Sequence, residues 1–309
     1  MSNHFNFNLM TEQLSFPALG WTININRVAF SIFGFDVYWY AIMITLGLIT
    51  AFAYGYFARK KFGYTVDNLT DTALAGIIGG IVGARVYFVL FSLGNYDNFL
   101  DMINIRDGGL AIYGGVIGAV LSVAITAKIR KWNFLNMADA AGVGFLLGQG
   151  IGRWGNFFNI EAYGSNTNLP WGMHSDSIWS YLTEHQTDIE LSGGGKVDPN
   201  MPVHPCFLYE SIWCLLGAAL IMLYVKLRGR KFKGEIALMY IIWYGIGRGF
   251  IEMLRTDSLT LGRLRVSMAL SFVAAAAAAV ILIVKRINVK HKSAGTVPDE
   301  LELINPTEE

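Results

Sequence analysis

Residues 152–161 concentrate ionisable and amide side chains among glycines and aromatics, in the order Gly-Arg-Trp-Gly-Asn-Phe-Phe-Asn-Ile-Glu. A guanidinium such as that of Arg153 suits a phosphate, because its planar fork donates two parallel hydrogen bonds. A carboxylate such as Glu161 can hold that arginine in place, and Asn156 adds a further hydrogen-bonding group. The glycines indicate tight turns or close backbone approach. We interpret this segment as a binding site for an anionic headgroup.

A second polar group lies along one predicted helix face, at Tyr244, Arg248, Glu252 and Arg255. Side chains three or four residues apart are neighbours on a helix surface. A charged stripe that faced lipid would be costly, so the pattern predicts a polar cavity between helices. The alternative is an Arg248–Glu252 pair that only satisfies itself.

The composition indicates what kind of protein carries these groups. Only 15% of the 309 residues are charged, 53% are hydrophobic, and the net charge is +1. A typical soluble domain has roughly 25% charged residues. These values argue against a soluble globular enzyme, a disordered chain and a nucleic-acid binder.

Seven segments are long and apolar enough to be candidate bilayer spans, each of which needs roughly 20 predominantly apolar residues. They are 37–58, 73–91, 110–127, 134–151, 206–225, 236–254 and 266–284. Many are rich in glycine and alanine, which let helix backbones approach closely in a bilayer. We therefore predict an all-α polytopic membrane protein with seven transmembrane helices.

The basic residues predict the orientation of these helices, because cytoplasmic loops carry an excess of lysine and arginine. One side of the predicted bundle holds Arg59, Lys60, Lys61, Lys128, Arg130, Lys131, Lys226, Arg228, Arg230, Lys231, Lys233, Lys285, Arg286, Lys290 and Lys292. The N-terminus is then outside and the C-terminus cytoplasmic. Residues 1–291 form the membrane domain, including a small extracytoplasmic head at 152–205. Residues 292–309 form a disordered cytoplasmic tail.

This topology brings several polar side chains to one depth, near the outer leaflet. They are Tyr40, Arg85, Tyr113, Arg153, His204, Glu210, Arg248 and Glu252. An ionisable group inside a membrane is costly and indicates function by default. Scattered structural ion pairs would have no reason to share a depth.

The sequence resembles the bacterial prolipoprotein diacylglyceryl transferases over most of its length. The strongest match is 152–161, which is similar to the family signature G-R-x-G-N-F-x-N-x-E. Further matches, in the same order as in the family, lie at 39–40, 83–85, 108–115, 204–210 and 244–252.

The resemblance implies transfer of the diacylglyceryl group of phosphatidylglycerol to the lipobox cysteine thiol of a prolipoprotein, with release of glycerol phosphate. It implies a multi-pass protein of the bacterial cytoplasmic (inner) membrane. The expected partners are phosphatidylglycerol, prolipoprotein signal peptides with a lipobox cysteine, and the bilayer. We expect no cofactor, no metal and no nucleic acid.

The motifs suggest roles for individual residues. Arg153 and Arg248 would bind the phosphodiester and stabilise charge on the leaving phosphate. Glu161 and Glu252 would fix those two guanidiniums, and Asn156 would hydrogen-bond the headgroup.

The remaining candidates would orient or support. Tyr40, Tyr113 and Tyr244 would orient the glycerol or the thiol. Arg85 and Glu210 would form a supporting layer around the site.

Tyr113 departs from the family pattern, because many members carry histidine there, and that histidine has been assigned as the base. An unperturbed tyrosine has a pKa of about 10, the wrong range for taking a thiol proton at neutral pH. Either Tyr113 only orients the substrate, or another group does the proton work. The substrate thiol, with a pKa of about 8.5, is itself partly ionised. His204 is a candidate base, and its alternative role is structural.

A transporter, or a lipid-binding membrane protein with an anionic-headgroup site, is the non-enzymatic alternative. A transporter predicts polar residues through the full membrane depth, whereas the predicted cytoplasmic halves carry few of them besides Asp139. Another lipid-headgroup enzyme is the nearest enzymatic alternative.

Overall fold

The computed structural model describes residues 11–93, 96, 98–105, 108–191, 195–256, 260–261 and 264–295. This part of the chain is mostly helical. Its helices are α1 (Trp39–Phe62), α2 (Val66–Leu90), α3 (Phe99–Ile103), α4 (Ile112–Ile129), α5 (Phe134–Asn159), α6 (Asp176–Leu191), α7 (Cys206–Leu227), α8 (Glu235–Glu252) and α9 (Val266–Gly295). Its strands are β1 (Thr11–Phe16), β2 (Trp21–Asn26), β3 (Val28–Ile32), β4 (Phe35–Tyr38), β5 (Thr260–Leu261) and β6 (Leu264–Arg265).

Five helices in the described residues are long and apolar enough to cross a membrane, namely α1, α2, α4, α7 and residues Val266–His291 of α9. The chain is therefore a polytopic membrane protein. Two further helices, α5 and α8, cover the other predicted spans, and both carry buried charged side chains, including Asp139 and Glu252.

Three sequence predictions need correction. The all-α prediction omits the strands before α1. The head was predicted to begin at residue 152, but α5 continues to Asn159, because its glycines serve close helix contacts and not turns. The tail was predicted to be disordered from residue 292, but α9 extends to Gly295. Residues 296–309 of that tail lie outside the described residues.

The first hairpin, β1–β2, belongs to a small core outside the helix bundle. Leu14 and Ile25 of this hairpin are buried with residues of α6 and of the loops around it, among them Ile178, Leu182 and Val203. Burial of such side chains is the main stabilising contribution to the core. Ser15 pairs with His174 through two backbone hydrogen bonds of 2.9 Å, so the N-terminal segment and the residues preceding α6 form one unit.

The helices of the bundle pack in pairs, with α2 against α4, α1 against α5, and α8 against α9, while α5 also packs on α7 and α8. The α2–α4 pair has its backbones in contact at glycines. A Cβ on Gly83 would lie 2.5 Å from the carbonyl oxygen of Gly114, and one on Gly118 would lie 2.2 Å from that of Gly79. No larger residue fits there, which is the use of small residues expected inside a bilayer.

Asp139 joins three helix ends on the side of the bundle opposite Arg153. Its fully buried carboxylate accepts hydrogen bonds from the backbone N–H groups of Gly234, Ile236 and Ala237 at 2.8 to 3.0 Å, at the start of α8. It also pairs with Arg230 at 2.8 Å. A carboxylate is favoured at a helix N-terminus by the helix dipole and the unpaired N–H groups.

Arg230 extends this connection to α1 and α5. Its Nη2 donates to the carbonyl of Phe62 at 2.9 Å and to the side-chain oxygen of Asn136 at 3.0 Å. Asn136 in turn donates to the carbonyl of Gly63 at 3.2 Å. The ends of α1, α5 and α8 are thus tied together by one buried network.

Replacing Asp139 by asparagine is expected to lower thermal stability strongly, because Arg230 loses its buried counter-charge, at a cost of about 3–5 kcal/mol. The measurement is thermal unfolding in detergent, followed with a thiol-reactive dye that reports exposure of the buried Cys206 and Cys214. Asp71→Asn is the matched control, because Asp71 pairs at 3.3 Å with an Arg130 that is 64% exposed. That exposed pair contributes about 1 kcal/mol or less. Equal shifts in the two variants would contradict this role of Asp139.

Candidate functional site

Glu210 is the centre of the site. It lies in the second turn of α7 and is only 3% exposed. Its Oε1 lies 2.7 Å from Nη1 of Arg248 and 3.6 Å from Nη1 of Arg255, and its Oε2 pairs with Nη2 of Arg153. One buried carboxylate therefore contacts three guanidiniums, which come from α5, from α8 and from the residues that follow α8.

A second carboxylate completes the group. Nη2 of Arg248 lies 2.5 Å from Oε2 of Glu252, one helical turn further along α8. The buried Arg265, in β6, donates to the backbone carbonyl of Glu252. We call Arg153, Arg248, Arg255, Arg265, Glu210 and Glu252 the arginine cluster.

The arginine cluster carries more positive than negative charge, since its four guanidiniums face two carboxylates. A buried carboxylate is costly unless a cation pairs with it, and Glu210 and Glu252 both pair with arginines of the cluster. The side chains of Arg153, Arg248 and Arg255 stay 22%, 17% and 13% exposed. The cluster can therefore receive an anion from its open side.

Glu161 acts on Arg153 through an intermediate residue. Its Oε1 accepts from the side-chain amides of Asn156 at 2.8 Å and Asn159 at 3.2 Å. The Oδ1 of Asn156 accepts from Nη1 of Arg153 at 3.4 Å. The structure thus links Glu161 to Arg153 through Asn156. Glu210 makes the direct ion pair, and Glu161 orients the amide of Asn156.

The turn that presents Glu161 is strained. The two residues beside it, Ile160 and Ala162, have φ values of +53° and +57°. This left-handed conformation costs a non-glycine residue about 1–2 kcal/mol. The turn ends α5 and brings the backbone N–H of Glu161 within 3.0 Å of the carbonyl of Asn156. The carboxylate is thereby folded back onto the helix that carries Arg153.

Tyr40 lies beside the same part of α5. It is in the first turn of α1, and its ring packs so closely that a Cβ on Gly155 would lie 2.8 Å from Cδ2 of Tyr40. The neighbouring Trp39 stacks on Phe158 with ring centroids 4.9 Å apart. Gly155 of the sequence motif thus permits a close approach of helices, and not a turn.

Tyr244 is one turn before Arg248 on α8, and its ring stacks on that of Tyr240 at 5.8 Å. Tyr113 begins α4, and its hydroxyl lies 3.3 Å from Oγ of Ser267 on α9. Tyr244 therefore lies on the helix face that carries the cluster, while Tyr113 links α4 to α9.

Arg85 is bound to backbone carbonyls. Its guanidinium donates to those of Asp101, Met102, Gly108 and Gly109 at 2.7 to 3.0 Å. These contacts attach it to the segment that precedes α4, and not to the Glu210 carboxylate. Arg85 and Glu210, which the sequence grouped in one supporting layer, thus have different partners.

His204 lies at the end of the loop that leads into α7, two residues before the helix begins at Cys206. Its Nδ1 lies 3.1 Å from the hydroxyl of Tyr209, which accepts from the indole of Trp171 at 2.8 Å. Burial lowers the pKa of His204 below its ordinary value of 6.5. The imidazole is therefore neutral at pH 7 and joined to a polar chain between loop and helix.

Sequence reasoning did not select Arg265, and it named Arg255 only as part of the stripe on α8. The sequence positions of both arginines could have identified them as candidates, because they flank the segment between α8 and α9 and follow Glu252 closely in the chain. Contact of Arg265 with a backbone carbonyl depends on tertiary structure, and no spacing rule predicts it. The described residues include no group of three or more histidine, cysteine, aspartate or glutamate side chains that could hold a metal ion.

Comparison with known proteins gives one family. A sequence model of the family described as prolipoprotein diacylglyceryl transferase matches residues 27–284. A phosphatidylglycerol–prolipoprotein diacylglyceryl transferase of Clostridioides difficile is 40% identical over 250 residues, which cover 81% of this chain and 91% of the relative. One from Clostridium perfringens is 42% identical over 270 residues, 87% of this chain and 98% of the relative. One from Thermotoga maritima is 38% identical over 253 residues, 81% of this chain and 82% of the relative.

Replacing Glu210 by glutamine is expected to loosen the end of α8, because three guanidiniums lose their common counter-charge. Hydrogen exchange measured by mass spectrometry should then be faster in residues 248–256. Glu161→Gln is the matched control, since Glu161 is exposed and its Oε1 accepts from neutral amides. Its effect should stay near residues 156–161. Unchanged exchange at 248–256 in Glu210→Gln would show that Glu210 does not organise the cluster.

Proposed function

This chain belongs to the prolipoprotein diacylglyceryl transferase family, and from that premise we propose how its arginine cluster performs the reaction. The enzyme transfers the diacylglyceryl group of phosphatidylglycerol to prolipoprotein. We propose that the acceptor is the thiol of the lipobox cysteine. The observation that carries the mechanism is the gathering of Arg153, Arg248 and Arg255 around Glu210.

The cluster suits the phosphodiester of the lipid headgroup. A phosphodiester carries one negative charge, and the cluster has an excess of positive charge on its partly exposed side. Each guanidinium has five N–H donors, and the contacts of Arg153 and Arg248 with Glu210 use only part of them. Both can therefore donate to phosphate oxygens while Glu210 keeps them in place.

The reaction is a displacement at carbon. The cysteine thiolate attacks the glycerol carbon of the diacylglyceryl group that bears the phosphate oxygen, so a C–S bond forms as that C–O bond breaks. The electron pair leaves with the oxygen of glycerol phosphate, which gains a negative charge. Arg153 and Arg248 act by stabilising this charge as it develops, which is where fixed donors lower a barrier most. Asn156, oriented by Glu161, donates to the headgroup.

We propose that the substrate thiol loses its proton by its own ionisation, and that no side chain of the protein acts as its base. A cysteine thiol has a pKa of about 8.5, and nearby positive charge lowers it. The positive field of the cluster favours the thiolate. Tyr113, like Tyr40 and Tyr244, then orients the thiol or the glycerol. Tyr113 does not accept the proton of the thiol.

The proposed topology has seven spans, made by α1, α2, α4, α5, α7, α8 and α9, with the N-terminus outside. The basic residues at the ends of α1, α4 and α7 support it, since they lie at the predicted cytoplasmic ends. Arg153 is in the last two turns of α5, Glu210 in the second turn of α7, and Arg248 in the last two turns of α8. The site then faces the outer leaflet of the bacterial cytoplasmic membrane.

The domain assignment follows from this topology. The membrane domain with its extracytoplasmic head, predicted at residues 1–291, is extended by α9 to Gly295, and the proposed tail follows. A transport function is less well supported, because the carboxylate of Asp139 is fully hydrogen-bonded and offers no site for an ion.

Arg153→Ala and Arg248→Ala should each abolish transfer while the protein still inserts in membranes. Loss of a fixed charge at the leaving group costs about 3–4 kcal/mol, or roughly 100- to 1000-fold in rate. The assay incubates purified protein with phosphatidylglycerol and a lipobox peptide and then weighs the peptide. Arg130→Ala is the matched control, since Arg130 is exposed and lies at the other end of the bundle. Full activity in either site variant would rule out the proposed phosphate contacts.

The pH dependence tests the role of Tyr113. The wild-type rate should rise with pH toward the thiol pKa, about 8.5 or somewhat lower. Tyr113→Phe should lower the rate about fivefold, the value of one hydrogen bond of roughly 1 kcal/mol, without moving the midpoint. Tyr113→His should move the midpoint toward a histidine pKa of about 6.5. A midpoint that moves in Tyr113→Phe would contradict this role, because it would show that Tyr113 takes part in the proton transfer.

A further inference from the structure

The second hairpin, β3–β4, has one apolar face and one polar face. The strands pair Phe30 with Val37 and Ile32 with Phe35, so these side chains share a face. Ser31 pairs with Asp36 on the opposite face. There the hydroxyl of Ser31 donates to Oδ1 of Asp36 at 2.5 Å.

The apolar face is exposed. Phe30 and Ile32 are 48% and 50% exposed, Phe35 is 78% exposed, and Phe33 at the tip is 97% exposed. The tip residues Phe33 and Gly34 both have positive φ, at +50° and +81°. Such a turn favours asparagine or glycine at its first position, so a phenylalanine there is a poor choice for the turn itself.

Two apolar side chains of the first hairpin, β1–β2, are buried, unlike those of β3–β4. Leu14 and Ile25 are 1% and 3% exposed, because they pack into the small core with α6. The apolar side chains of β3–β4 are not buried in a comparable way within the described residues. A contiguous apolar surface of this kind marks an interaction site.

The hairpin is continuous with a membrane helix. β4 ends at Tyr38 and α1, an apolar helix long enough to span, begins at Trp39. The backbone N–H of Trp39 donates to the carbonyl of Arg27 at 3.0 Å, which fixes the hairpin against the start of α1. The exposed phenylalanines are therefore held at the level of the membrane surface, where aromatic side chains are favoured.

We propose that the β3–β4 hairpin inserts its tip and apolar face, Phe30, Ile32, Phe33 and Phe35, into the lipid leaflet at which α1 begins. Ser31 and Asp36 face water. The partner is the lipid surface itself, and the insertion holds the first turn of α1 at that surface.

The insertion has a consequence for the site. Tyr40 lies in the first turn of α1 and packs on Gly155, two residues from Arg153. Anchoring this end of α1 in the leaflet fixes the depth of the last turns of α5. The arginine cluster is thereby kept at the level of lipid headgroups.

The test measures depth with nitroxide labels on single introduced cysteines, Phe33→Cys and Phe35→Cys, with Ser31→Cys on the other face of the same hairpin as the matched control. The native Cys206 and Cys214 are buried, and the unsubstituted chain, labelled in parallel, gives their background. The protein is placed in vesicles of phosphatidylcholine and phosphatidylglycerol. Collision of the label with oxygen and with a water-soluble nickel chelate is then measured by electron paramagnetic resonance.

Labels at 33 and 35 should collide several-fold more with oxygen, relative to nickel, than the label at 31. Equal nickel accessibility at 33 and 31 would overturn the proposal. Shielding of position 33 that arises only when a lipobox peptide is added would also overturn it, because the face would then bind peptide and not lipid.

Discussion

The pairing of three arginines with the buried carboxylate of Glu210 is the constraint on which the site depends. Guanidiniums repel one another at short range, and each pays a large desolvation cost when it leaves water. Glu210 offsets both effects, because it is only 3% exposed and its two oxygens are shared among the three partners. The last turns of α5, the second turn of α7 and the end of α8 must therefore meet at one point. The proposed phosphate binding depends on this arrangement, since the gathered positive charge exceeds that of the carboxylates.

The same helices are fixed at their other ends by Asp139, which joins the start of α8 to Arg230 and through it to the end of α1. A helix that is held at both ends presents its side chains with little freedom. Arg153 and Asp139 lie on one helix, α5, so the distance between the two networks is set by helix geometry. The left-handed residues around Glu161 and the stacking of Trp39 on Phe158 complete the positioning of α5.

Sequence patterns predicted the helices well and their ends less well. Hydropathy placed the second span at 73–91, whereas α2 begins at Val66, because Thr65 and Asn68 form a capping box that starts the helix with polar residues. A hydropathy profile does not detect a helix start that is made of polar residues. The N-terminal hairpins were missed because their strands are only four to six residues long, and because the apolar side chains of β3–β4 lie on an exposed face.

Predicted depth selected Arg153, Glu210, Arg248 and Glu252, which the structure brings into contact, but local spacing did not predict how they pair. Spacing suggested that Glu161 holds Arg153, since both lie in one motif. In the structure, the carboxylate that pairs directly with Arg153 is that of Glu210, which is 57 positions further along the chain. Contacts between helices depend on packing angles that local spacing does not encode. Motifs therefore selected residues that meet in the arginine cluster, and the packing of α5, α7 and α8 determines which of them pair.

A structure of this protein with phosphatidylglycerol bound would show directly whether the arginine cluster holds the phosphate. We expect phosphate oxygens within about 3 Å of guanidinium nitrogens of both Arg153 and Arg248, the distance of a charge-assisted hydrogen bond. Both arginines should still contact Glu210. A headgroup phosphate bound away from these two arginines, with their guanidiniums still closed on Glu210, would contradict the account.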